Sequence, residues 1–212
     1  MMTTIPDFSF EQAALDDGAR CIAGVDEVGR GPLAGPVTAA AVILDPRQIP
    51  DGLNDSKKLT AARREALVQQ IMDQTEWSVA HVDVADIDRL NIFHASHLAM
   101  CRAVAGLPRR PDLALIDGNV VPRDLGLPGR AIVKGDARSL SIAAASVLAK
   151  VLRDRIMVDL AQQHPGYGWE QNAGYPTPAH KKALLDLGVT PHHRRSFAPV
   201  HNILWQGKNS TR

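Results

Sequence analysis

The chain has 212 residues, a net charge of +1, 45% hydrophobic residues and 22% charged residues, which excludes extended disorder. Its two cysteines, Cys21 and Cys101, form neither a disulfide framework nor a metal-binding spacing, and no apolar run approaches the roughly 18–20 residues that span a bilayer. The first residues lack the basic and apolar regions of a signal peptide. We therefore expect a cytoplasmic, monomeric protein without a membrane segment.

The charges are unevenly distributed along the chain. Residues 1–106 carry 9 basic and 15 acidic side chains, whereas residues 107–212 carry 15 basic and 8 acidic ones. This asymmetry favours an anionic partner, with local acidity kept for a role such as metal binding. Chance segregation of charges on solvated faces is the simpler alternative.

Hydrophobic periodicity and turn residues predict the secondary structure in chain order. After a loose lead-in at residues 1–20, with one short helical turn near residues 10–15, strands are predicted at residues 21–28, 37–44, 77–84, 113–116 and 131–133. Helices are predicted at residues 60–74, 86–105, 139–163 and 178–187. The first two strands flank a short connection rich in glycine and proline, which is typical of an antiparallel hairpin.

This order of elements indicates an α/β protein. We expect a mixed five-stranded sheet flanked by helices, followed by a C-terminal helical extension. Residues 201–212 contain Leu204 and Trp205, and we expect this tail to fray.

Carboxylates stand at the ends of three predicted strands. Asp26 and Glu27 end the first strand, Asp117 ends the fourth, and Asp136 follows the fifth. Buried carboxylates are costly unless a cation pairs with them, and hard divalent cations prefer carboxylate oxygens. Because ligands of open α/β sheets bind outside strand ends, we expect these four acids to form a metal site.

Each acid also has a simpler explanation. The Asp26–Glu27 pair suits an exposed turn, Asp117 followed by glycine suits a plain turn, and Asp136 suits a cap on the next helix. Four carboxylates at the ends of three predicted strands are not expected by coincidence, and their grouping favours the metal site. Two divalent ions about 3.5–4 Å apart support in-line phosphodiester hydrolysis, whereas zinc is not indicated because no His/Cys cluster has ligand spacing.

The motifs together resemble those of bacterial ribonuclease HII, the type 2 ribonuclease H family. The matching segments follow the family's order, at residues 24–32, 53–59, 116–119, 134–136, 144–146, 149–150, 153–154, 174–177 and 195–197. The Asp-Glu-Val-Gly-Arg-Gly-Pro block that begins at Asp26 is highly specific. The resemblance implies a ribonuclease H-like fold, with a catalytic domain at residues 21–200 between the lead-in and the tail.

The resemblance also implies an activity. It implies cutting of the RNA strand of RNA–DNA hybrids, dependent on Mg²⁺ or Mn²⁺, and incision on the 5′ side of single ribonucleotides embedded in duplex DNA. Carried over by position, the catalytic metal ligands are Asp26, Glu27, Asp117 and Asp136.

Substrate-binding residues follow from the same resemblance. The backbone of Gly29, Arg30 and Gly31 is expected to read the ribose 2′-hydroxyl, and Tyr175 to stack on the sugar of the next deoxynucleotide. A core tyrosine that anchors the loop is the alternative for Tyr175. Further substrate-binding residues are Asn54, Ser56, Lys57, Ser146 and Lys150. Candidate phosphate contacts are Lys57, Lys58, Lys150, Arg153, Lys181, Arg194 and Arg195.

One position departs from the family. A basic residue often precedes the Gly-Tyr pair, whereas this chain has Ala173, and we expect one backbone contact to be lost without an effect on the chemistry. Two other functions stay open. A non-catalytic binder of RNA–DNA hybrids with the same fold is expected to lack an acidic ligand, whereas this chain keeps all four. Another enzyme of the ribonuclease H fold would not need Tyr175.

Overall fold

The computed structural model describes residues 5–209, with side chains through residue 205. The chain divides into two compact units. The first unit comprises Met1–Val28, Thr38–His81 and Ser96–Val151, and the second comprises Gly29–Val37, Val82–Ala95 and Leu152–Arg212. Within the described part of the chain, no helix is both long and apolar enough to cross a membrane.

Five strands form one sheet: β1 (Ile22–Val28), β2 (Val37–Ile43), β3 (Glu76–Val82), β4 (Leu113–Asp117) and β5 (Gly129–Ile132). Their order across the sheet is β3-β2-β1-β4-β5. Strand β1 pairs antiparallel with β2, while β4 runs parallel to both β1 and β5. The predicted hairpin and the predicted mixed five-stranded sheet are confirmed.

The helices are α1 (Ser9–Asp16), α2 (Ala61–Gln74), α3 (Val84–Leu90), α4 (Ile92–Ala105), α5 (Leu140–Gln163), α6 (Trp169–Asn172), α7 (Pro178–Leu187) and α8 (Ala198–Asn209). Two helices begin at threonine caps. The Thr60 hydroxyl accepts a hydrogen bond from the Arg63 N–H, and the Thr177 hydroxyl accepts one from the His180 N–H. Such side chains satisfy backbone donors that have no partner inside the helix.

The helical region predicted at residues 86–105 consists of two helices. Asn91 separates α3 from α4 with a φ of 67°, a conformation that asparagine tolerates better than most residues. Its side-chain oxygen accepts hydrogen bonds from the N–H groups of Phe93 and His94 at 2.9 and 3.2 Å. The same residue therefore ends one helix and begins the next.

The N-terminal segment is more tightly held than the prediction of a loose lead-in. Helix α1 carries Glu11, whose side chain is buried, and Glu11 Oε1 accepts hydrogen bonds from the Ser139 hydroxyl and from both the N–H and the hydroxyl of Ser141. A carboxylate at this position stabilises the N-terminus of α5. Glu11 and Ser139 thus provide the cap that the simpler explanation assigned to Asp136.

The C-terminal tail also differs from expectation. The prediction that residues 201–212 fray is wrong as far as Asn209, because this stretch belongs to α8; residues 210–212 lie outside the described part. Val200 at the start of α8 is fully buried in the apolar core of the second unit, with Trp169 and Leu184. Burial of this face supplies stability that the local sequence does not show.

Candidate active site

Three of the four predicted acids come together in the first unit. One carboxylate oxygen from each of Asp26, Asp117 and Asp136 lies within 4.8 Å of the other two. The parallel pairing of β1 with β4 places Val25 opposite Ile116, so the residues that follow them reach the same edge of the sheet. The sheet topology therefore produces the cluster that the strand-end pattern predicts.

Asp136 reaches the cluster through a tight turn after β5. Asp117 Oδ1 accepts hydrogen bonds from the N–H groups of Gly135 and Asp136 at 2.6 and 3.4 Å. A Cβ on Gly135 would lie 2.6 Å from the terminal methyl of Ile142 and 3.3 Å from Asp117 Oδ1, so the turn packs closely against both side chains. Asp117 is thus both a member of the cluster and the residue that holds the turn.

The cluster carries buried negative charge. Asp26 and Asp136 are only 5% and 6% exposed. Burial, together with the charges of Glu27, Asp117 and Asp136, raises the pKa of Asp26 well above its usual range, and a hydrogen bond from Ser146 opposes this rise. Burial and the charge of Asp136 also raise the pKa of Asp117. A set of close carboxylates that repel one another fits a hard divalent cation, which relieves that repulsion.

Glu27 differs from the other three acids. Successive side chains of a strand leave it on opposite faces, yet the charge of Glu27 still raises the pKa of its neighbour Asp26. Among the described residues, the cluster of close carboxylate oxygens consists of Asp26, Asp117 and Asp136. The role of Glu27 as a metal ligand stays a prediction.

Lys57 adds a positive charge to the cluster. Its Nζ lies 3.1 Å from Asp136 Oδ2 and 4.0 Å from Asp55 Oδ1, although its side chain is 78% exposed. Burial lowers the Lys57 pKa, but the hydrogen bond to Asp136 and the nearby carboxylates outweigh burial and raise it. The exposed stem leaves this ammonium able to contact both a carboxylate and an incoming phosphate.

Two serines support Asp26 from inside the unit. The hydroxyls of Ser56 and Ser146 lie 2.9 Å apart, both residues are buried, and Ser146 hydrogen-bonds to Asp26. Lys150 follows Ser146 by four residues on α5 and therefore shares its face of the helix. Asn54 accepts a hydrogen bond from the Asp55 N–H at 2.9 Å. The assignment of these residues to substrate binding stays a prediction.

The Gly29-Arg30-Gly31 segment follows β1 in the chain and belongs to the second unit. Arg194 lies fully buried against it and donates hydrogen bonds to the carbonyls of Gly29 at 2.6 Å, Arg30 at 3.1 Å and Gly35 at 2.9 and 3.0 Å. The interpretation of Arg194 as a phosphate contact is wrong, because its guanidinium is enclosed by protein carbonyls.

Arg153 is likewise fully buried, and its assignment as a phosphate contact is also wrong. Its guanidinium donates to the carbonyls of Pro36 at 2.9 Å, Ala34 at 3.2 Å and Ala173 at 3.0 Å. Ala173 has a φ of 47°, which costs about 1–2 kcal/mol for a residue with a side chain. Arg153 therefore ties the loop after Gly31 to the segment that precedes Tyr175.

Tyr175 has the exposure expected of a substrate contact. Its side chain is 40% exposed, which excludes the alternative of a core tyrosine. Its ring lies beside Gly31, since a Cβ added there would be 3.3 Å from Tyr175 Cε1. The Leu33 N–H donates to the Gly174 carbonyl at 2.7 Å, so the backbone beneath the ring is held in place.

A buried histidine network holds Tyr175 from the other side. His180 Nδ1 lies 2.9 Å from the Tyr175 carbonyl and must carry a proton there, because a carbonyl only accepts. His180 Nε2 then accepts from Trp169 Nε1 and lies 3.1 Å from His193 Nε2. Burial lowers the pKa of His180, and burial together with neighbouring histidines lowers the His193 pKa to about 3. Both rings are therefore neutral at pH 7. No local sequence pattern indicates this network.

Comparisons with known proteins agree with this geometry. Residues 23–200 match the Ribonuclease HII family. The chain is 74% identical over 207 residues to the ribonuclease HII of Paracoccus denitrificans, covering 98% of this chain and 99% of that one, and 69% identical over 206 residues to that of Cereibacter sphaeroides, covering 97% of each.

A solved structure shows the same fold. The crystal structure of the ribonuclease H2 from Pyrococcus horikoshii superposes with a TM-score of 0.77 at 29% identity, covering 89% of this chain and 99% of that one. The expected ribonuclease H-like fold is thereby confirmed. The sequence match, the shared fold and the strand-end carboxylates together establish that this chain belongs to the ribonuclease HII family.

Proposed function

We propose that this ribonuclease H hydrolyses the RNA strand of RNA–DNA hybrids and also cuts on the 5′ side of a single ribonucleotide embedded in duplex DNA. The observation that carries the proposal is the cluster of Asp26, Asp117 and Asp136 in a chain of the ribonuclease HII family. Such a cluster suits phosphodiester hydrolysis, a reaction in which the protein mainly supplies acidic ligands.

Asp26, Asp117 and Asp136, with Glu27 as the fourth ligand, would hold two divalent ions, Mg²⁺ or Mn²⁺. When bound, such ions activate water and neutralise phosphate charge. The protein orients the ligands, since Ser146 hydrogen-bonds to Asp26 and the Gly135 N–H donates to Asp117. Lys57, beside Asp136, adds a positive charge for the phosphate that is cut.

We propose that residues of the second unit recognise the ribose. The 2′-hydroxyl is the group that distinguishes RNA from DNA at one sugar, and a glycine-flanked backbone permits its close approach. Gly29, Arg30 and Gly31 are the segment proposed to read it, and the exposed ring of Tyr175 beside Gly31 is suited to stacking on a sugar. Exposed basic residues are proposed to contact phosphates: Lys57, Lys58, Lys181 and Arg195.

A labelled DNA duplex with one internal ribonucleotide tests the proposal against an all-DNA control. In Mg²⁺ or Mn²⁺ we expect one cut on the 5′ side of the ribonucleotide, and no cut in chelator or in the control. If a long hybrid is cut but the single ribonucleotide is not, the nuclease activity stands and the proposed recognition of the RNA–DNA junction by residues 29–31 and Tyr175 is wrong. Binding without cutting of either substrate would favour the non-catalytic hybrid-binding protein.

Tyr175→Ala is expected to reduce kcat/KM on the single-ribonucleotide duplex by about 10–100-fold, because an aromatic stacking contact contributes about 1–3 kcal/mol. Tyr175→Phe keeps the ring and is the matched control, with activity expected within about threefold of the parent. Because the side chain is 40% exposed, thermal unfolding should change little in either variant. Unchanged kinetics in Tyr175→Ala would contradict the proposed stacking of Tyr175 on the sugar next to the ribonucleotide.

We also infer that the protein acts as a monomer in the cytoplasm, during DNA replication and ribonucleotide excision repair. Cys21 and Cys101 are free thiols, in keeping with a reducing compartment. Light scattering on the purified chain and fractionation of cells test the two parts of this inference separately.

A further inference from the structure

Arg194 lies behind the segment proposed to read the ribose. Its backbone pairs with the loop after Gly31: the Arg194 N–H donates to the Leu33 carbonyl at 2.8 Å, and the Gly35 N–H donates to the His192 carbonyl at 2.9 Å. This pairing directs the Arg194 side chain toward the carbonyls of residues 29–35. The position of the guanidinium is thus set by the backbone and by complete burial.

The carbonyl contacts of Arg194 determine the direction of two peptide groups. Its guanidinium binds the carbonyl oxygens of Gly29 and Arg30, and the described chain contains no cis peptide bond. In a trans peptide the N–H of the next residue points opposite to the carbonyl. The N–H groups of Arg30 and Gly31 therefore point away from the guanidinium.

The charge of Arg194 also acts on these two peptide groups. A hydrogen bond to a carbonyl polarises the whole peptide and makes its N–H a stronger donor, and the effect is larger where water is excluded. The Phe197 ring lies 5.1 Å from the guanidinium carbon and contributes to the enclosure. Burial, then the charge of Arg153, lowers the Arg194 pKa to about 9, so the guanidinium stays charged at pH 7.

We propose that Arg194 is a positioning residue for ribose recognition. It holds and polarises the two peptide groups whose N–H donors, on Arg30 and Gly31, bind the 2′-oxygen. The proposal rests on the function proposed above for residues 29–31. Arginine is needed because its planar fork reaches several carbonyls at once, whereas the single ammonium of a lysine does not.

Val200→Ala provides a control for stability. Val200 is fully buried in the apolar core of the second unit with Trp169 and Leu184, and it takes no part in the hydrogen bonds described above for residues 29–31. The variant should weaken folding, because it removes buried apolar atoms from that core. Arg194→Lys, in contrast, releases the peptide groups of Gly29 and Arg30.

The test measures binding in chelator to two duplexes that differ by one 2′-hydroxyl, with concentrations corrected for the folded fraction. Arg194→Lys is expected to reduce the preference for the ribonucleotide duplex about 10-fold, through weaker binding of that duplex alone, whereas Val200→Ala should keep the parent's preference. A purely structural role would weaken binding of both duplexes equally. A preference within about twofold of the parent in folded Arg194→Lys would overturn the proposal.

Two further outcomes are distinguishable. If the parent protein shows no preference between the two duplexes, the proposed reading of the 2′-hydroxyl fails before Arg194 is tested. If Arg194→Lys does not fold, Phe197→Leu is the second variant, because it opens the guanidinium to water and leaves its carbonyl bonds in place. We then expect the preference to fall about 2–3-fold, and an unchanged preference would overturn the role of Arg194.

Discussion

Asp26→Asn is expected to reduce cleavage of an RNA–DNA hybrid by about 1,000-fold, while hybrid binding changes by less than about threefold. Asparagine keeps the shape of the side chain and can still accept the hydrogen bond that the Glu27 N–H donates to Asp26 Oδ1 at 2.7 Å. What it loses is one of the three close carboxylates that would hold the divalent ions. Single-turnover cleavage and a binding titration on the same hybrid separate the two effects.

The same variant is expected to be more stable than the parent in chelator at pH 7. Burial and neighbouring carboxylates raise the pKa of Asp26 in the folded state above its unfolded value. An ionised Asp26 therefore favours unfolding at pH 7, and a neutral asparagine removes this cost. Each 1 kcal/mol gained raises the melting temperature by about 2–4 °C. Asp159→Asn, at an exposed position of α5, is the control and should alter neither property.

Two results would contradict the metal-ligand role of Asp26. Cleavage within about tenfold of the parent would show that the carboxylate is not needed for the reaction. A lower melting temperature together with lost cleavage would instead make Asp26 a determinant of folding. Lost cleavage, retained binding and raised stability together are expected only if the Asp26 carboxylate is a metal ligand whose charge is costly to bury in the absence of metal.

Gly24→Ala is expected to lower the stability of the protein by about 3 kcal/mol or more, which corresponds to about 6–12 °C in melting temperature. A Cβ at this position on β1 would lie 2.1 Å from the Ser141 carbonyl carbon and 2.3 Å from the Ile142 nitrogen. These are backbone atoms at the start of α5, so the helix itself must move. Because α5 carries Ser146, which hydrogen-bonds to Asp26, we also expect cleavage to fall in the folded fraction.

Gly18→Ala is the control for that prediction. No heavy atom lies within 4 Å of the Cβ that it adds, so the change meets only the strain of a φ of 99°. It should cost about 1–2 kcal/mol, the usual penalty of a left-handed conformation. Thermal and chemical unfolding of both variants compare the two costs, and similar melting temperatures would show that α5 does not pack on Gly24 as described.

Much of this fold is decided by signals that act over a few residues. Thr60 and Thr177 begin helices because a hydroxyl next to the first turn satisfies backbone donors, whatever the rest of the chain does. Strand β2 is buried at all of its positions, and its continuous apolar run shows this directly. Carboxylates near the ends of neighbouring strands gather because parallel strands end at one edge, so the grouping of Asp26, Asp117 and Asp136 follows from the strand-end pattern in the sequence.

The tertiary structure alone decided how the basic and acidic side chains are used. Arg194 looked like a phosphate contact, yet its partner carbonyl on Gly29 lies 165 residues away in the chain. Glu11 lies in a segment that appeared loose, and its partner hydroxyl on Ser141 is 130 residues distant. Burying a charged side chain is costly unless hydrogen-bond partners compensate for the lost water, and for Arg194 and Glu11 those partners lie far away in the chain. Local composition does not encode that condition, whereas caps, turns and apolar runs are encoded by near neighbours.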